Sequence, residues 1–253
     1  MLLALDIGNS NIKTGIWNND GWKLKRREET WPVQDTPWYQ DMIEQMIEQA
    51  NIHKSAIKTI VLGSVVPDVS KPVTKALTDL FNTEPIVVDA TLDTGIQLAA
   101  DAPDRVGADL VAGAAAAYNL INDTCIIVDL GTATTVMVVH SPGVFEGGAI
   151  CNGLKMSVKS LVGSTAQLQD IALEMPPSPI GKNTIEAMQS GLVGGHLHMI
   201  EGLISKMREE TGPAPVVATG GLVSVIAPHT DMFDYVEPTL VLDGLRLIAE
   251  RQR

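Results

Sequence analysis

Apolar residues along this chain change their period in an order that occurs twice. Residues 1–7 form an almost unbroken apolar run, as in a strand covered on both faces. Residues 11–17 and 22–28 follow as antiparallel partners, with Asn18-Asn19-Asp20-Gly21 as the turn between them. Residues 37–50 switch to a helical period, with Pro37 at the start and Trp38, Met42, Met46 and Ile47 on one stripe. A short strand over 57–62 ends at Gly63-Ser64, a helix follows near 69–82, and 85–88 is another strand. From 89 to 103 the pattern fades into a long loop. A helix over 106–120, with Asp104 as its cap, contains Ala114-Ala115-Ala116-Ala117, a run that permits very close packing.

The second half repeats the scheme. Strands over 124–129 and 134–140 pair, Ser141-Pro142-Gly143 turns, and 144–150 is a third strand. A helix over 154–168 precedes a stiff loop, Met175-Pro176-Pro177-Ser178-Pro179. One long helix is expected from 183 to 210, its apolar face made of Ile185, Met188, Leu192, Met199, Leu203 and Met207. A strand over 215–219, a Gly220-Gly221 turn and an amphipathic helix over 239–252 complete the chain. The pattern implies two like α/β domains, 1–117 and 118–253.

The repeated element with the most chemistry is a strand that reaches an Asp and turns on a Gly. It reads Asp6-Ile7-Gly8-Asn9-Ser10-Asn11-Ile12-Lys13 near the start and Asp129-Leu130-Gly131-Thr132-Ala133-Thr134-Thr135 near the middle. The two aspartates are 129 − 6 = 123 positions apart, close to half of the 253 residues. The strand fixes the carboxylate, and Gly removes a Cβ that would keep phosphate from the backbone. The turn aims N–H groups at one point, and Ser, Thr and Asn side chains add donors. Each Asp can hold a divalent cation. One such loop also serves as an ordinary hairpin turn. Two in matching strand contexts point to a nucleotide cleft shared by both halves.

Two weaker signals fit that reading. Gly220-Gly221 closes a strand before a helix, as in a turn that lets a nucleoside lie on backbone, although such a pair is also a common turn. Gly107-Ala108-Asp109 opens the Ala-rich helix. A carboxylate there suits a base accepting a proton from a hydroxyl, or simply caps the helix. His196 and His198, two apart on a helix, point to different faces and are expected to pack or face solvent. Asp243 is expected to be a solvated charge.

Composition narrows the partners. A net charge of −12 argues against nucleic acid, since no basic stripe is present. The run Lys23-Leu24-Lys25-Arg26-Arg27 is expected on an exposed strand. With such charge, ATP must be held by backbone N–H groups, a few placed cations and metal ions. Cys125 and Cys151 form no metal or disulfide pattern and are expected as reduced core residues. The apolar start reaches Asp6 without a basic segment before it, so no leader is expected. No apolar run approaches membrane-spanning length, so no membrane association and a cytoplasmic location are expected.

With these residues in view, the chain resembles the acetate kinase, sugar kinase, chaperone and actin superfamily, and within it the type III pantothenate kinases, also called Bvg accessory factor homologues. Asp6-Ile7-Gly8-Asn9-Ser10-Asn11-Ile12-Lys13 is similar to the first ATP loop of that family. Val106-Gly107-Ala108-Asp109 is similar to its substrate loop, and Asp129-Leu130-Gly131-Thr132 to its second phosphate loop. Gly147-Gly148-Ala149-Ile150, Asn183-Thr184, Ala187-Met188-Gln189-Ser190-Gly191 and Leu240-Val241-Leu242-Asp243-Gly244-Leu245 also fit. The resemblance implies two similar ribonuclease H-like (actin-like ATPase) domains, each a mixed five-stranded sheet flanked by helices. It implies transfer of the γ-phosphoryl of ATP to the 4′-hydroxyl of pantothenate, the first step toward coenzyme A. Asp109 would accept the proton, and Asp6 would serve Mg²⁺ and phosphate. Asp129 would hold a monovalent cation, K⁺ or NH₄⁺. Thr132, with Gly131, Gly220 and Gly221, would contact ATP. Gly107, Ala108, Leu110 and Thr184 would line the pantothenate site. A homodimer is implied.

Two positions depart from the family pattern. Leu110 stands where the family usually has Arg after the loop Asp, and Ala100 where it often has Tyr. Pantothenate is a carboxylate, and a lost guanidinium contact is worth roughly 1.5–3 kcal/mol. Arg105, four residues before Asp109, is the expected substitute. A catalytically weak or inactive nucleotide-binding regulatory or accessory protein, favoured by Leu110 and Ala100, and a phosphatase or ATPase of the same superfamily are the rival readings.

Overall fold

The first strand, β1 (Leu2–Ile7), is buried along its whole length because it is covered on both faces. Strand residues alternate in direction. Leu3, Leu5 and Ile7 therefore join one core, and Leu2 and Ala4 another. A computed structural model describes residues 1–89 and 91–252, and the chain divides into two units, Met1–Ala116 with Leu240–Arg253, and Ala117–Thr239.

In the first unit, β2 (Asn11–Asn18) pairs antiparallel with β1, and β3 (Gly21–Glu29) with β2. Strand β4 (Thr59–Ser64) runs parallel to β1, and β5 (Ile86–Val87) parallel to β4, giving the order β3-β2-β1-β4-β5. Helices α1 (Thr36–Gln49) and α2 (Pro67–Phe81) cover the Leu3–Leu5–Ile7 face through Tyr39, Met42, Ile43, Val69 and Val73. Asp35 caps α1, accepting the Trp38 N–H at 3.0 Å. The basic run lies on the outermost strand, where Lys23, Lys25 and Arg27 alternate outward, as expected.

The other face of this sheet is covered by α3 (Ala108–Ile121) and α8 (Leu240–Arg251). Here the domain expectation needs correction, because 118–253 does not stay together. Val241, Leu242, Leu245 and Ile248 pack in one core with Leu2, Ala4, Val61 and Ala112, so the last helix returns to the first unit. Small residues make the approach possible. A Cβ built on Gly244 would lie 1.8 Å from the Ala112 carbonyl oxygen. Gly244→Ala must push α3 and α8 apart, so it should cost at least about 2 kcal/mol, or roughly 4–8 °C in melting temperature. Thermal denaturation checks this, and an unchanged melting temperature would mean the helices are less tightly apposed.

Asp243 is not a solvated charge either. Its carboxylate accepts the Trp22 Nε1–H at 2.8 Å, while Trp22 stacks edge-on with Trp17 and the Arg246 guanidinium lies 4.5 Å over the Trp17 ring. Asp104 does not cap α3. It sits in a 3-10 turn, Pro103–Arg105, and the helix begins at Ala108. A two-residue strand β6 (Gln97–Leu98) interrupts the expected loop.

In the second unit, β7 (Cys125–Leu130), β8 (Ala133–His140) and β9 (Val144–Asn152) form consecutive antiparallel pairs. Strand β10 (Val216–Thr219) runs parallel to β7, and β11 (Tyr235–Val236) parallel to β10, so the strands of this unit follow the order β11-β10-β7-β8-β9. The first unit's ββ-hairpin followed by a parallel neighbour is thus repeated. Helix α4 (Leu154–Gly163) stops five residues before the expected end. The long helix is α5 (Thr184–Gln189) and α6 (Gly195–Thr211) joined by a π turn, Ser190–Gly194. Val193, Leu197, Ile200 and Ile204 pack on Ile126, Val128 and Leu130. A short helix α7 (Val223–Ile226) follows the Gly220-Gly221 turn. Cys125 is buried and free, its thiol pushed up to about 12 by burial, and Cys151 is half-buried and free.

Candidate active site

In the first unit, strand register places Asp6 directly opposite Lys13. Such cross-strand pairs lie within side-chain reach, and the Lys13 ammonium donates to the Asp6 carboxylate at 3.1 Å. Asp6 is only 3% exposed. Burial raises its pKa, the charge and hydrogen bond of Lys13 oppose the rise, and the nearby charge of Asp109 adds to it.

Asp109 occupies the first turn of α3 and accepts the Leu110 N–H at 2.8 Å. A Cβ on Gly107 would lie 2.5 Å from the Asp109 Oδ1 and 3.2 Å from Val65, so any larger residue there would have to displace the Asp109 carboxylate. Burial raises the Asp109 pKa, against the backbone N–H groups of Leu110 and Asp109 and the charge of Lys13. The Lys13 ammonium holds Asp6 directly and reaches Asp109 only through its charge, while burial makes both carboxylates more basic than in water.

The other expected residues of this unit divide. Gly8, Asn9, Ser10 and Asn11 form the turn after β1, closed by Gly8 N–H donating to the Asn11 carbonyl at 3.0 Å. Ile7 and Ile12 are core residues, so only their backbone is available to a ligand. Ala108 packs in the core, Leu110 is half-buried, and Arg105 is exposed in the 3-10 turn ahead of α3. Sequence reading missed Thr30 and Trp31, which bond the carbonyls of residues 8–10. Their position just past a strand that pairs with the turn was the available signal.

In the second unit, Asp129 stands across from Thr135 in the β7–β8 hairpin and beside Thr219 of β10. The tip is tightened by Gly131 N–H donating to the Ala133 carbonyl at 3.1 Å. It rests on Gly153 at the start of α4, where a Cβ would be 2.3 Å from the Thr132 carbonyl oxygen. Gly220, with φ +101°, presses on the same loop: a Cβ there would lie 2.4 Å from the Asp129 Oδ1. The Leu222 N–H donates to the Leu130 carbonyl at 3.0 Å. The hairpin and the Gly220-Gly221 turn are thus one structure around the Asp129 carboxylate.

His196 is buried and bonds the Thr134 hydroxyl at 2.9 Å, and burial lowers its pKa, so it sits neutral beneath this hairpin. His198 is exposed beside Glu201. Thr184 begins α5 behind the Asn183 cap, lining an open groove of about 680 Å³ with Lys182, Met188, Leu161 and Leu192.

The donors fit hard cations. Asp6, with the charge of Asp109 nearby, is a carboxylate of the kind Mg²⁺ takes when phosphates supply its other oxygens. At Asp129, the cradle over the carboxylate exists only because Gly220 has no Cβ. Among the described residues no cluster of three or more His, Cys, Asp or Glu forms a metal cage, and no helix is long and apolar enough to cross a membrane.

The type III pantothenate kinase family profile matches residues 2–206. A type III pantothenate kinase of an Exiguobacterium species (strain AT1b) is 37% identical over 253 residues, covering 100% of both chains. Among solved structures, a Baf-family protein of Campylobacter jejuni superposes with a TM-score of 0.61 at 18% identity, covering 99% of this chain and 98% of that one. The MreB5 of Spiroplasma citri bound to ADP superposes with a TM-score of 0.55 at 10% identity, covering 99% and 96%. The fold is that of the actin-like ATPases. On the profile match and the full-length identity together, the chain belongs to the type III pantothenate kinase family.

Proposed function

We propose that this chain transfers the γ-phosphoryl group of ATP to the 4′-hydroxyl of pantothenate. The observation that carries the reading is the Asp6–Lys13–Asp109 group. A base for this step must be ionised yet more basic than an exposed carboxylate, and burial gives Asp109 that character. As the new O–P bond forms and the bond from phosphorus to the ADP oxygen breaks, the hydroxyl proton passes to the Asp109 carboxylate. Lys13 keeps Asp6 in place through the ion pair. When bound, Mg²⁺ at Asp6 neutralises phosphate charge. Asp129 takes a monovalent cation, K⁺ or NH₄⁺. The backbones of residues 7–12, with Gly131, Thr132, Gly220 and Gly221, hold ATP, and Gly107, Leu110 and Thr184 line the acceptor site. The enzyme works as a homodimer in the cytoplasm. Ile150, Ile180 and Ile185, exposed at 72%, 76% and 58%, offer apolar surface for a second copy.

Two experiments bear on the acceptor side. If Arg105 replaces the family's guanidinium, Arg105→Ala raises the KM for pantothenate about tenfold to a hundredfold. An unchanged KM removes Arg105 from the site. The acid limb of kcat/KM comes from protonating the base. Because the Asp109 pKa is raised, activity should fall as pH drops while ordinary carboxylates are still ionised. A limb in the ordinary carboxylate range would point to another base.

A further inference from the structure

The turn Gly8-Asn9-Ser10 lies against a two-residue segment at the end of β3. The Thr30 hydroxyl donates to the Gly8 carbonyl at 2.6 Å, the Trp31 Nε1–H to the Asn9 carbonyl at 3.0 Å, and the Thr30 N–H to the Ser10 carbonyl at 3.1 Å. Three successive carbonyls are thus held by donors from one dipeptide. Across a planar trans peptide, the carbonyl of one residue and the N–H of the next point in opposite directions. With these carbonyls turned toward Thr30 and Trp31, the N–H groups of Asn9, Ser10 and Asn11 point the other way. A phosphate on that side meets N–H dipoles; a phosphate facing the carbonyls would be repelled.

We infer that Thr30 and Trp31 are positioning residues that hold the first loop in its phosphate-binding form. The inference rests on the reading of residues 6–13 as an ATP loop. The two residues hold the loop by different means. Thr30 is fully buried, while Trp31 is 50% exposed, so its indole contributes little to the core. A large, half-exposed ring whose N–H bonds a loop carbonyl is better explained by the loop it holds than by packing.

The test is steady-state kinetics on the full chain with melting temperatures alongside. Thr30→Val removes the hydroxyl at nearly constant shape, Thr30→Ser keeps it, and Trp31→Phe removes only the indole donor. Thr30→Val and Trp31→Phe should each raise the KM for ATP about fivefold to tenfold. The KM for pantothenate should hold, and Thr30→Ser should restore the wild-type value. Trp31→Phe should melt with the wild type, which keeps the test decisive if Thr30→Val unfolds. An unchanged ATP KM in folded variants overturns the inference while leaving the kinase reading intact. A wild-type protein that shows no saturation with ATP overturns both.

Discussion

Asp109→Asn should lower kcat by about a hundredfold to ten-thousandfold while leaving ATP affinity nearly unchanged. The amide keeps the shape of the carboxylate and cannot accept the proton. Stability should move the other way. The folded state holds the protonated form of Asp109 more tightly than the unfolded chain does, because burial raises its pKa. For such a group the fold binds the extra proton, so its contribution falls as pH rises through the folded pKa. At neutral pH the ionised carboxylate opposes folding, and the neutral amide relieves it. The variant should melt at or above the wild-type temperature at pH 7, with the difference vanishing in acid. A variant that loses both activity and stability would mark Asp109 as a structural residue. One that retains full turnover would remove it from the chemistry.

The second large effect is expected at Gly220→Ala. Two costs add there. The backbone has φ +101°, which an L side chain rarely adopts, and the new Cβ would lie 2.4 Å from the Asp129 Oδ1 and 2.5 Å from backbone atoms of Leu130. Strain and overpacking together should cost about 3 kcal/mol. The atoms that must yield are the carboxylate and the loop beside it, so ligand binding should suffer as well as folding. ATP affinity should weaken at least about tenfold and dependence on the monovalent cation should change. Isothermal titration with ATP, with and without K⁺, measures both. Gly202→Ala is the control: nothing lies within 4 Å of its would-be Cβ, so it should be neutral or slightly stabilising. Equal behaviour of the two variants would mean Gly220 carries no special constraint.

The strands and both loops were legible in the sequence because they are local. An apolar run that stops at Asp and Gly needs only its own residues to become a strand and a turn, and Asp6 and Asp129 stand where that pattern puts them. Asp109 was legible for the same reason, since Gly107 and the helix start fix it locally. What was not legible depends on partners far along the chain. The amphipathic stripe of α8 does not say which sheet it covers; it packs on Leu2, Ala4, Val61 and Ala112, at a spacing that needs Gly244. Asp243 looks like a solvated charge until Trp22, 221 positions away, is placed against it. Thr30 and Trp31 carry no motif, and their role appears only once the strand register brings them to the loop carbonyls. The π turn after α5 was hidden because a helical stripe changes little across one wide turn.

Phosphate should leave ATP for pantothenate and for nothing else. Measuring ADP and inorganic phosphate separately, with pantothenate and K⁺ each present or absent, tests this most directly. The predicted result is ADP formed in step with phosphorylated pantothenate, strongly reduced without K⁺ and without free phosphate at any stage. ADP and free phosphate released equally whether or not pantothenate is present, or ATP bound with no ADP formed at all, would contradict it.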